Sequence, residues 1–213
     1  MIHKHKKKIY ALAGVIIVAA SFYAYIMTPR GVPLVFLESD ELFQIVQDGD
    51  IICRLGDRFW SQLFRDVSVE DRRYSHVGIV RVDSASGEVT VIHAEGNTGH
   101  GRDDVNEVTL PEFLKVARAA GVYRINNADA DIDVSRISAL AMEYLGIPFD
   151  WRFDMRDTTA LYCTELLYVV LKRAAPALKL KTAYVKEIGK EVIPLEAISN
   201  SEHFTEVYFI SAL

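Results

Sequence analysis

The feature that most constrains this chain is an uncharged, apolar run of 19 residues, Ile9 to Met27, which directly follows a lysine-rich leader at residues 1–8. A helix rises about 1.5 Å per residue, so this run nearly matches the roughly 30 Å hydrocarbon core of a bilayer. The apolar region of a cleaved signal peptide is usually shorter, at about 7–15 residues. The run therefore predicts a retained transmembrane signal anchor at residues 9–27, with a cleaved signal peptide as the alternative.

The lysines of the leader predict how this anchor is oriented. Basic residues next to a membrane span tend to stay on the cytoplasmic side. We therefore expect a single-pass protein of the inner (cytoplasmic) membrane, with a short linker at residues 28–33. The folded domain, residues 34–213, is then expected on the periplasmic, extracytoplasmic side.

Charge separates the leader from the rest of the chain. Residues 1–30 carry a charge of +5, whereas the whole chain has a net charge of -5, so the remaining 183 residues carry -10. A body this acidic argues against nucleic acid as a partner, because binding to phosphates requires clustered Lys and Arg. Two cysteines are too few for a disulfide-stapled scaffold or a Cys-rich zinc module.

The body has the segment order of an α+β domain. Two β-rich runs, His76–Val82 and Glu88–Ala94, flank a polar turn and predict a hairpin. Other segments have strand or helix character: strands at residues 51–55, 107–109, 121–125 and 206–211, and helices at residues 59–67, 134–145 and about 159–174. Because the strands cluster in the middle with helices outside them, an α+β fold is favoured over alternating βαβ units.

The predicted hairpin brings two histidines together. With a four-residue loop, Asp83 to Ser86, Val82 pairs with Gly87 and His76 lies directly opposite His93 on the same face. Loops with an even number of residues keep both imidazoles on one face, whereas a change of one residue separates them. Two facing imidazoles need a partner or a function, because both prefer water to an apolar core.

Cys163 is a candidate partner for these imidazoles. It falls within the first turn of a helix predicted to be capped near Thr158 or Thr159, where the helix dipole and free N–H groups favour a thiolate. The alternative is a small buried core residue. Cys53 alternates with apolar neighbours on its strand and is interpreted as core, and a Cys53–Cys163 disulfide is a further alternative.

Two other kinds of site receive weak support. His76, His93, His100 and Asp103 could bind zinc, but no HExxH or paired-cysteine spacing accompanies them. The glycine-rich stretch at residues 96–101 lacks the Lys-Ser/Thr pair of a phosphate loop, so we interpret it as a flexible loop beside the site. We therefore expect no metal and no cofactor.

Four motifs carry a resemblance to a known family. In chain order they are Tyr74 to Val80, Val91 to Ala94, Gly146 to Asp150 and Tyr162 to Leu166. They resemble the YiiX-like permuted papain-fold cysteine hydrolases, which belong to the wider NlpC class of cell-wall amidases and are similar to the lecithin:retinol acyltransferase branch. The resemblance covers about Gly49 to Ala174. It implies a circularly permuted papain-like fold with a central antiparallel sheet and flanking helices.

The resemblance also implies a role for each residue of a catalytic triad. Cys163 corresponds to the nucleophile, His76 to the general base and His93 to the polar residue that orients His76. That third residue is commonly Glu in the YiiX-like members and His in the acyltransferase branch, and Glu95 is the alternative to His93. The helix start at Cys163 is expected to supply an oxyanion hole from its backbone N–H, and Glu165 is interpreted as structural.

The sequence thus predicts a membrane-anchored, extracytoplasmic cysteine hydrolase that cleaves an amide bond through an acyl-enzyme. A cell-wall peptide is the leading substrate. The alternatives are a thiol acyl hydrolase or acyltransferase that acts on lipids, and a catalytically silent ligand-binding domain. Trp60, Trp151 and Tyr184 are candidates for lining the substrate groove, with ordinary packing as the alternative for each.

Overall fold

A computed structural model of the chain describes residues 2–28, 40–57, 59–96, 102–126, 133–186 and 188–212. The side chains of residues 2–13, 27, 40, 59, 60, 63 and 135 lie outside this description. The predicted linker beyond residue 28 and the glycine-rich loop at residues 97–101, which contains His100, also lie outside it.

The described elements are seven α-helices and eight β-strands. The helices are α1 (Ile2–Met27), α2 (Asp40–Ile45), α3 (Phe59–Arg65), α4 (Leu110–Leu114), α5 (Ile137–Met142, preceded by a 3-10 turn at Val134–Arg136), α6 (Cys163–Ala174) and α7 (Glu196–Ser199). The strands are β1 (Ile51–Gly56), β2 (His76–Val82), β3 (Val89–Glu95), β4 (Asp104–Thr109), β5 (Ala117–Ile125), β6 (Ala183–Val185), β7 (Lys190–Val192) and β8 (Phe204–Ser211).

Six strands form one antiparallel sheet in the order β4-β3-β2-β1-β5-β8, while β6 and β7 pair as a separate hairpin. Successive side chains of a strand point to opposite faces, so the sheet has two cores. One face, with Ile79 and Ile92, packs against α5 and α6, and the other, with Val80 and Val91, packs against α2 and α4. The predicted α+β fold with a central antiparallel sheet and flanking helices is confirmed.

The register of the β2–β3 hairpin differs from the predicted one by two residues. Val82 pairs with Val89 instead of Gly87, so the connection spans residues 83–88. The Asp83 carboxylate accepts backbone N–H bonds from Ala85 and Ser86 and stabilises this longer turn. His76 is therefore not directly opposite His93. Because a shift of two residues preserves the face, the two histidines remain diagonal neighbours on one side of the sheet.

The start of α6 is also later than predicted. Its N-cap is Tyr162, so Cys163 is the first helical residue. Thr159 instead donates from its backbone N–H and its hydroxyl to Asp157, which holds a turn before the helix. The correction places the predicted nucleophile nearer the helix N-terminus than the sequence indicated.

The N-terminal segment forms the long helix α1, which contacts α3 of the domain. The predicted span at residues 9–27 lies partly outside the described side chains. Within the residues that the structure does describe, we found no helix with the length and apolar character that crossing a membrane requires.

Candidate active site

A cavity of about 710 Å³ opens where the end of β1 meets the start of β2. Cys163 and His76 both line it, together with Arg54 and Glu95. The rest of the lining is mostly apolar and includes Phe64, Val67, Phe149, Phe153, Val185 and Ile193. The structure therefore brings the predicted nucleophile and the predicted base to the same cavity.

The two histidines form a hydrogen-bonded pair beside this cavity. His76 Nε2 lies 2.9 Å from His93 Nδ1, with the two rings nearly perpendicular at 85°. Both rings pack against Phe113, at centroid distances of 5.8 Å for His76 and 5.2 Å for His93. Because Nε2 of His76 is engaged by His93, its Nδ1 is the ring nitrogen that can exchange a proton with a reactant.

A glycine allows the two strands to come this close at the histidines. A Cβ atom on Gly78 would lie 2.4 Å from Cγ1 of Val91 and 3.3 Å from Cβ of His93. Such distances require neighbouring atoms to move, so a larger residue at position 78 would displace Val91 and crowd His93. The sequence analysis did not assign this role to Gly78.

Burial and a nearby cation hold both histidines in the neutral form at neutral pH. Burial, followed by the charge of Arg54, lowers the pKa of His76 well below its ordinary value, and the same two causes lower the pKa of His93. The Nε2 atom of His93 is buried without a hydrogen-bond partner among the described residues. A polar cavity of about 190 Å³ adjoins His93 and has room for ordered water.

Glu95, the alternative third catalytic residue, is engaged by Arg54 instead of His76. Nη2 of Arg54 lies 2.8 Å from Oε1 of Glu95, and the guanidinium lies 4.4 Å from the ring centroid of Phe113. Arg54 is directly across from His76 in the β1–β2 register. Of the two alternatives, His93 is therefore the one that is hydrogen-bonded to His76, and the Arg54–Glu95 pair lies beside it.

Arg54 is a site residue that the sequence analysis missed. The residue is 5% exposed, and it belongs to a strand whose six residues are all buried. A charged side chain is rarely buried without a partner. An arginine within the apolar run at residues 51–55 was therefore the signal that could have identified it.

Cys163 is held as a thiol in this structure. Burial raises its pKa to about 11, although the backbone N–H groups of Val77 and Thr164 and the charge of Arg54 act in the opposite direction. The expectation that the helix start produces a lowered thiol pKa is therefore wrong for the unliganded protein. Desolvation outweighs the stabilisation that the N–H groups give to a thiolate.

Cys163 and His76 approach the cavity from opposite faces of the sheet. Cys163 packs with the core beneath α5 and α6, whereas His76 packs against Phe113 on the α4 face. No hydrogen bond joins Cys163 Sγ to His76 within the described part of the chain. Catalytic hydrogen bonds of unliganded enzymes often shorten only when substrate binds.

Glu165 stabilises the start of α6 and does not line the cavity. Oε2 of Glu165 accepts the backbone N–H of Tyr162 at 3.4 Å, which closes a capping box. Burial raises the pKa of this carboxyl group to about 8. These contacts agree with the structural role expected from the sequence.

The three predicted groove aromatics have different positions. Trp151 lines the cavity and donates from its indole N–H to Asp103 at 2.8 Å. A Cβ atom on Gly96 would lie 2.6 Å from the Trp151 ring, so the glycine makes room for this indole. Tyr184 lies on β6 outside the cavity lining, and the Trp60 side chain lies outside the described residues.

Both cysteines are free thiols, so the Cys53–Cys163 disulfide considered from the sequence is not formed. Cys53 is fully buried on β1, as expected for a core residue. Burial is also the largest of the effects that raise its pKa well above the ordinary value. Cys163, in contrast, borders the cavity, which makes it the accessible thiol of the two.

The chain is similar to known proteins in both sequence family and fold. A model of the family described as "permuted papain-like amidase enzyme, YaeF/YiiX, C92 family" matches residues 45–203. The crystal structure of metalloprotein yiiX from Escherichia coli O157:H7 is similar with a TM-score of 0.63 and 18% identity, covering 78% of this chain and 99% of that one. At that identity the likeness concerns the fold alone. No curated protein matches the chain significantly.

The residues of this chain were also tested against the metal that the name of this structural relative implies. Among the described residues, no three His, Cys, Asp or Glu side chains lie close enough together to hold a metal ion. His100, which belongs to the weak zinc alternative, lies outside those residues. The described side chains therefore do not fit a metal site.

Proposed function

Because this chain belongs to the permuted papain-like amidase family of YaeF and YiiX, we propose that it is a cysteine hydrolase that cleaves an amide bond, with Cys163 as the nucleophile. The observation that carries this proposal is the shared cavity. It is bordered by a thiol at a helix start and by His76, whose imidazole is paired with His93. Nucleophile, base and orienting residue are the three parts that thiol acyl transfer requires.

In the proposed reaction the thiol loses its proton as it attacks. Nδ1 of His76 accepts the Cys163 proton while Sγ bonds to the acyl carbon, and His93 accepts the Nε2–H of His76, which fixes the tautomer. The Cys163 backbone N–H stabilises the carbonyl oxygen of the tetrahedral intermediate. The His76 imidazolium then protonates the leaving amine as the C–N bond breaks. Water, deprotonated by His76, hydrolyses the thioester and restores the thiol.

Burial of both groups favours a neutral resting pair over a preformed thiolate–imidazolium pair. Burial raises the pKa of Cys163 to about 11 and lowers the pKa of His76, so both groups are uncharged at neutral pH. A preformed ion pair needs the opposite shifts. The proton transfer therefore accompanies attack and does not precede it.

The apolar lining supports a lipid acyl group as the substrate more than the cell-wall peptide that the sequence analysis favours. A cavity of about 710 Å³ is within the usual size range for binding a small molecule. Among the described residues that line it, Arg54 is the one strong cation, and it is already paired with Glu95. The carboxylates of a wall peptide would therefore find no unpaired cation among these described residues, whereas an acyl chain would bury apolar surface. The substrate we propose is the amide of a long-chain fatty acid.

A chain-length series tests this substrate class. The purified protein is incubated with N-acyl amides of increasing acyl length and, separately, with purified wall peptides, and the products are followed by mass spectrometry. Each added methylene in the cavity should raise kcat/KM by up to about fourfold, the equivalent of about 0.8 kcal/mol. Cys163→Ser should abolish turnover.

The matched control for that series is Cys53→Ser, which changes the buried thiol without touching the cavity. If wall peptides are cleaved and kcat/KM does not rise with acyl length, the lipid proposal is contradicted. The wall peptide is then the favoured substrate. If neither substrate class is cleaved by a folded protein, the silent ligand-binding alternative is favoured over the enzyme.

We also propose that residues 9–27 anchor the domain in the inner membrane, with the catalytic domain on the extracytoplasmic side. The support is the uncharged run itself, the lysines before it and the helical conformation of α1. Protease added to spheroplasts should remove the domain, while a tag placed before the lysines should remain protected. Protection of the domain in intact spheroplasts would contradict this orientation.

A further inference from the structure

Apolar side chains are exposed where the large cavity opens. Trp151 and Ile188 line the cavity and are still 46% and 47% exposed. Tyr184 is not a lining residue, but it precedes the lining residue Val185 on β6 and is 69% exposed. A soluble surface tolerates single exposed apolar residues, but aromatic and aliphatic groups gathered at the mouth of an apolar cavity usually mark a contact surface. We call these three residues the apolar rim.

Exposed lysines lie in the same segment of the chain as Tyr184 and Ile188. Lys179 and Lys181 alternate with Leu178 and Leu180, which are buried, so both lysines point outward. Together with Lys186 they are exposed and form no ion pair within the described residues. We call these three residues the lysine cluster.

The charge of this segment is opposite to that of the domain around it. Residues 179–191 contain four lysines, at positions 179, 181, 186 and 190, and two acids, at positions 187 and 191, whereas residues 31–213 carry a net charge of -10. Lys190 pairs with Asp154 at 3.1 Å, which fixes the hairpin beside the loop that bears Trp151. Positive charge is therefore concentrated beside the cavity mouth.

The N-terminal helix α1 packs against an element of the cavity wall. It contacts α3, and α3 contributes Ser61 and Phe64 to the cavity wall. If α1 holds the protein at a membrane, this contact brings the cavity wall toward that membrane. The apolar rim, the lysine cluster and α1 therefore all favour a membrane surface as the partner.

We infer that the apolar rim and the lysine cluster dock on an anionic phospholipid bilayer, and that the acyl substrate enters the cavity from it. Amphipathic aromatic residues are suited to the headgroup boundary, and lysines nearby are attracted to anionic headgroups. The acyl part of this inference rests on the proposed function. The docking itself does not, because it follows from charge and exposure.

The position of Trp151 relative to the bilayer can be measured directly. The chain has two tryptophans, so the full-length Trp60→Phe protein reports on Trp151 alone. It is reconstituted in phosphatidylcholine vesicles with brominated acyl chains, with or without phosphatidylglycerol. We expect bromine to quench Trp151 strongly when phosphatidylglycerol is present and weakly when it is absent.

Two charge variants provide the comparison. Lys181→Gln and Lys186→Gln should each reduce the ratio of docked to undocked protein by about fivefold, the effect expected for one lysine near an anionic surface. Arg81→Gln removes the same charge at the end of β2 far from His76 and should leave quenching unchanged. The inference is overturned if Trp151 is not quenched. It is also overturned if quenching is the same with and without phosphatidylglycerol and is unchanged in both lysine variants.

Failure of the docking and failure of the proposed function give different results. Hydrolysis of a water-soluble, short-chain amide by a protein whose Trp151 is not quenched retains the enzyme and rejects the docking. Quenching without hydrolysis of any amide retains the docking and rejects the enzyme. When both docking and hydrolysis are observed, Lys181→Gln should slow hydrolysis of a vesicle-embedded amide and leave hydrolysis of the soluble amide unaffected.

Discussion

At the scale of single residues, the catalytic proposal depends on which side chain engages His76. The sequence left His93 and Glu95 as alternatives, and the structure gives them different partners. His93 Nδ1 lies 2.9 Å from His76 Nε2, whereas Glu95 Oε1 lies 2.8 Å from Arg54 Nη2. We therefore propose His93 as the residue that positions His76, while Glu95 balances the charge of Arg54.

Substitution of these two residues separates their roles. His93→Ala should lower kcat by about 10²-fold or more, because His76 loses the acceptor that fixes its tautomer. His93→Gln, whose carbonyl oxygen can accept the same bond, should recover part of that loss, and a purely structural role predicts no such recovery. Glu95→Gln should change kcat by less than about tenfold. Equal losses in His93→Ala and Glu95→Gln would contradict the assignment.

The titration of Cys163 is a second prediction at this scale. The rate at which iodoacetamide labels Cys163 should rise with pH and approach a plateau only near the pKa of about 11, because burial keeps the thiol protonated. Cys53→Ser serves as the control and should leave the profile unchanged, since Cys53 is fully buried. A plateau at or below pH 8.5 would indicate an activated Cys163 thiolate and would contradict the neutral resting pair.

At the scale of elements, the sequence predicted faces and segment types better than register and boundaries. The alternation of β2 and β3 placed both histidines on one face, but turn chemistry at Asp83 determined the six-residue connection and the two-residue shift. The β6–β7 hairpin was missed, because three-residue strands are too short to show a period. Arg54 was missed because its partner, Glu95, is 41 residues away in sequence.

The capping box of α6 gives a prediction about stability. The pKa of Glu165 is raised from 4.5 to about 8 by burial, so the folded state binds more protons than the unfolded state between these two values. Its contribution to stability is therefore present below about pH 4.5 and is lost as pH rises through about 8. Glu165→Gln should remove this loss while retaining an oxygen that accepts the Tyr162 N–H.

This prediction is checked by urea unfolding at pH 5.5 and pH 8. We take the unfolding free energy of Glu165→Gln minus that of the unchanged protein. This difference should be more positive at pH 8 than at pH 5.5. A difference that does not depend on pH would contradict a raised pKa at Glu165, whatever the size of the effect.

At the scale of the whole molecule, the fold and the family follow from motifs distributed over most of the domain. The family match at residues 45–203 and the fold likeness to yiiX both agree with the resemblance drawn from four short motifs. The substrate was not predictable in the same way, because the cavity is formed by residues from distant segments, such as Phe64, Phe149 and Ile193. Their shared apolar character emerges only when the chain has folded.

The central claim is that Cys163 forms an acyl-enzyme with the help of His76. Its most direct test is the mass of the intact full-length protein after brief exposure to an activated long-chain acyl ester, followed by peptide mapping. The account predicts one acyl group on Cys163, absent in Cys163→Ser and formed much more slowly in His76→Ala. An acyl group on another residue, or equal acylation of Cys163 in His76→Ala, would contradict the account.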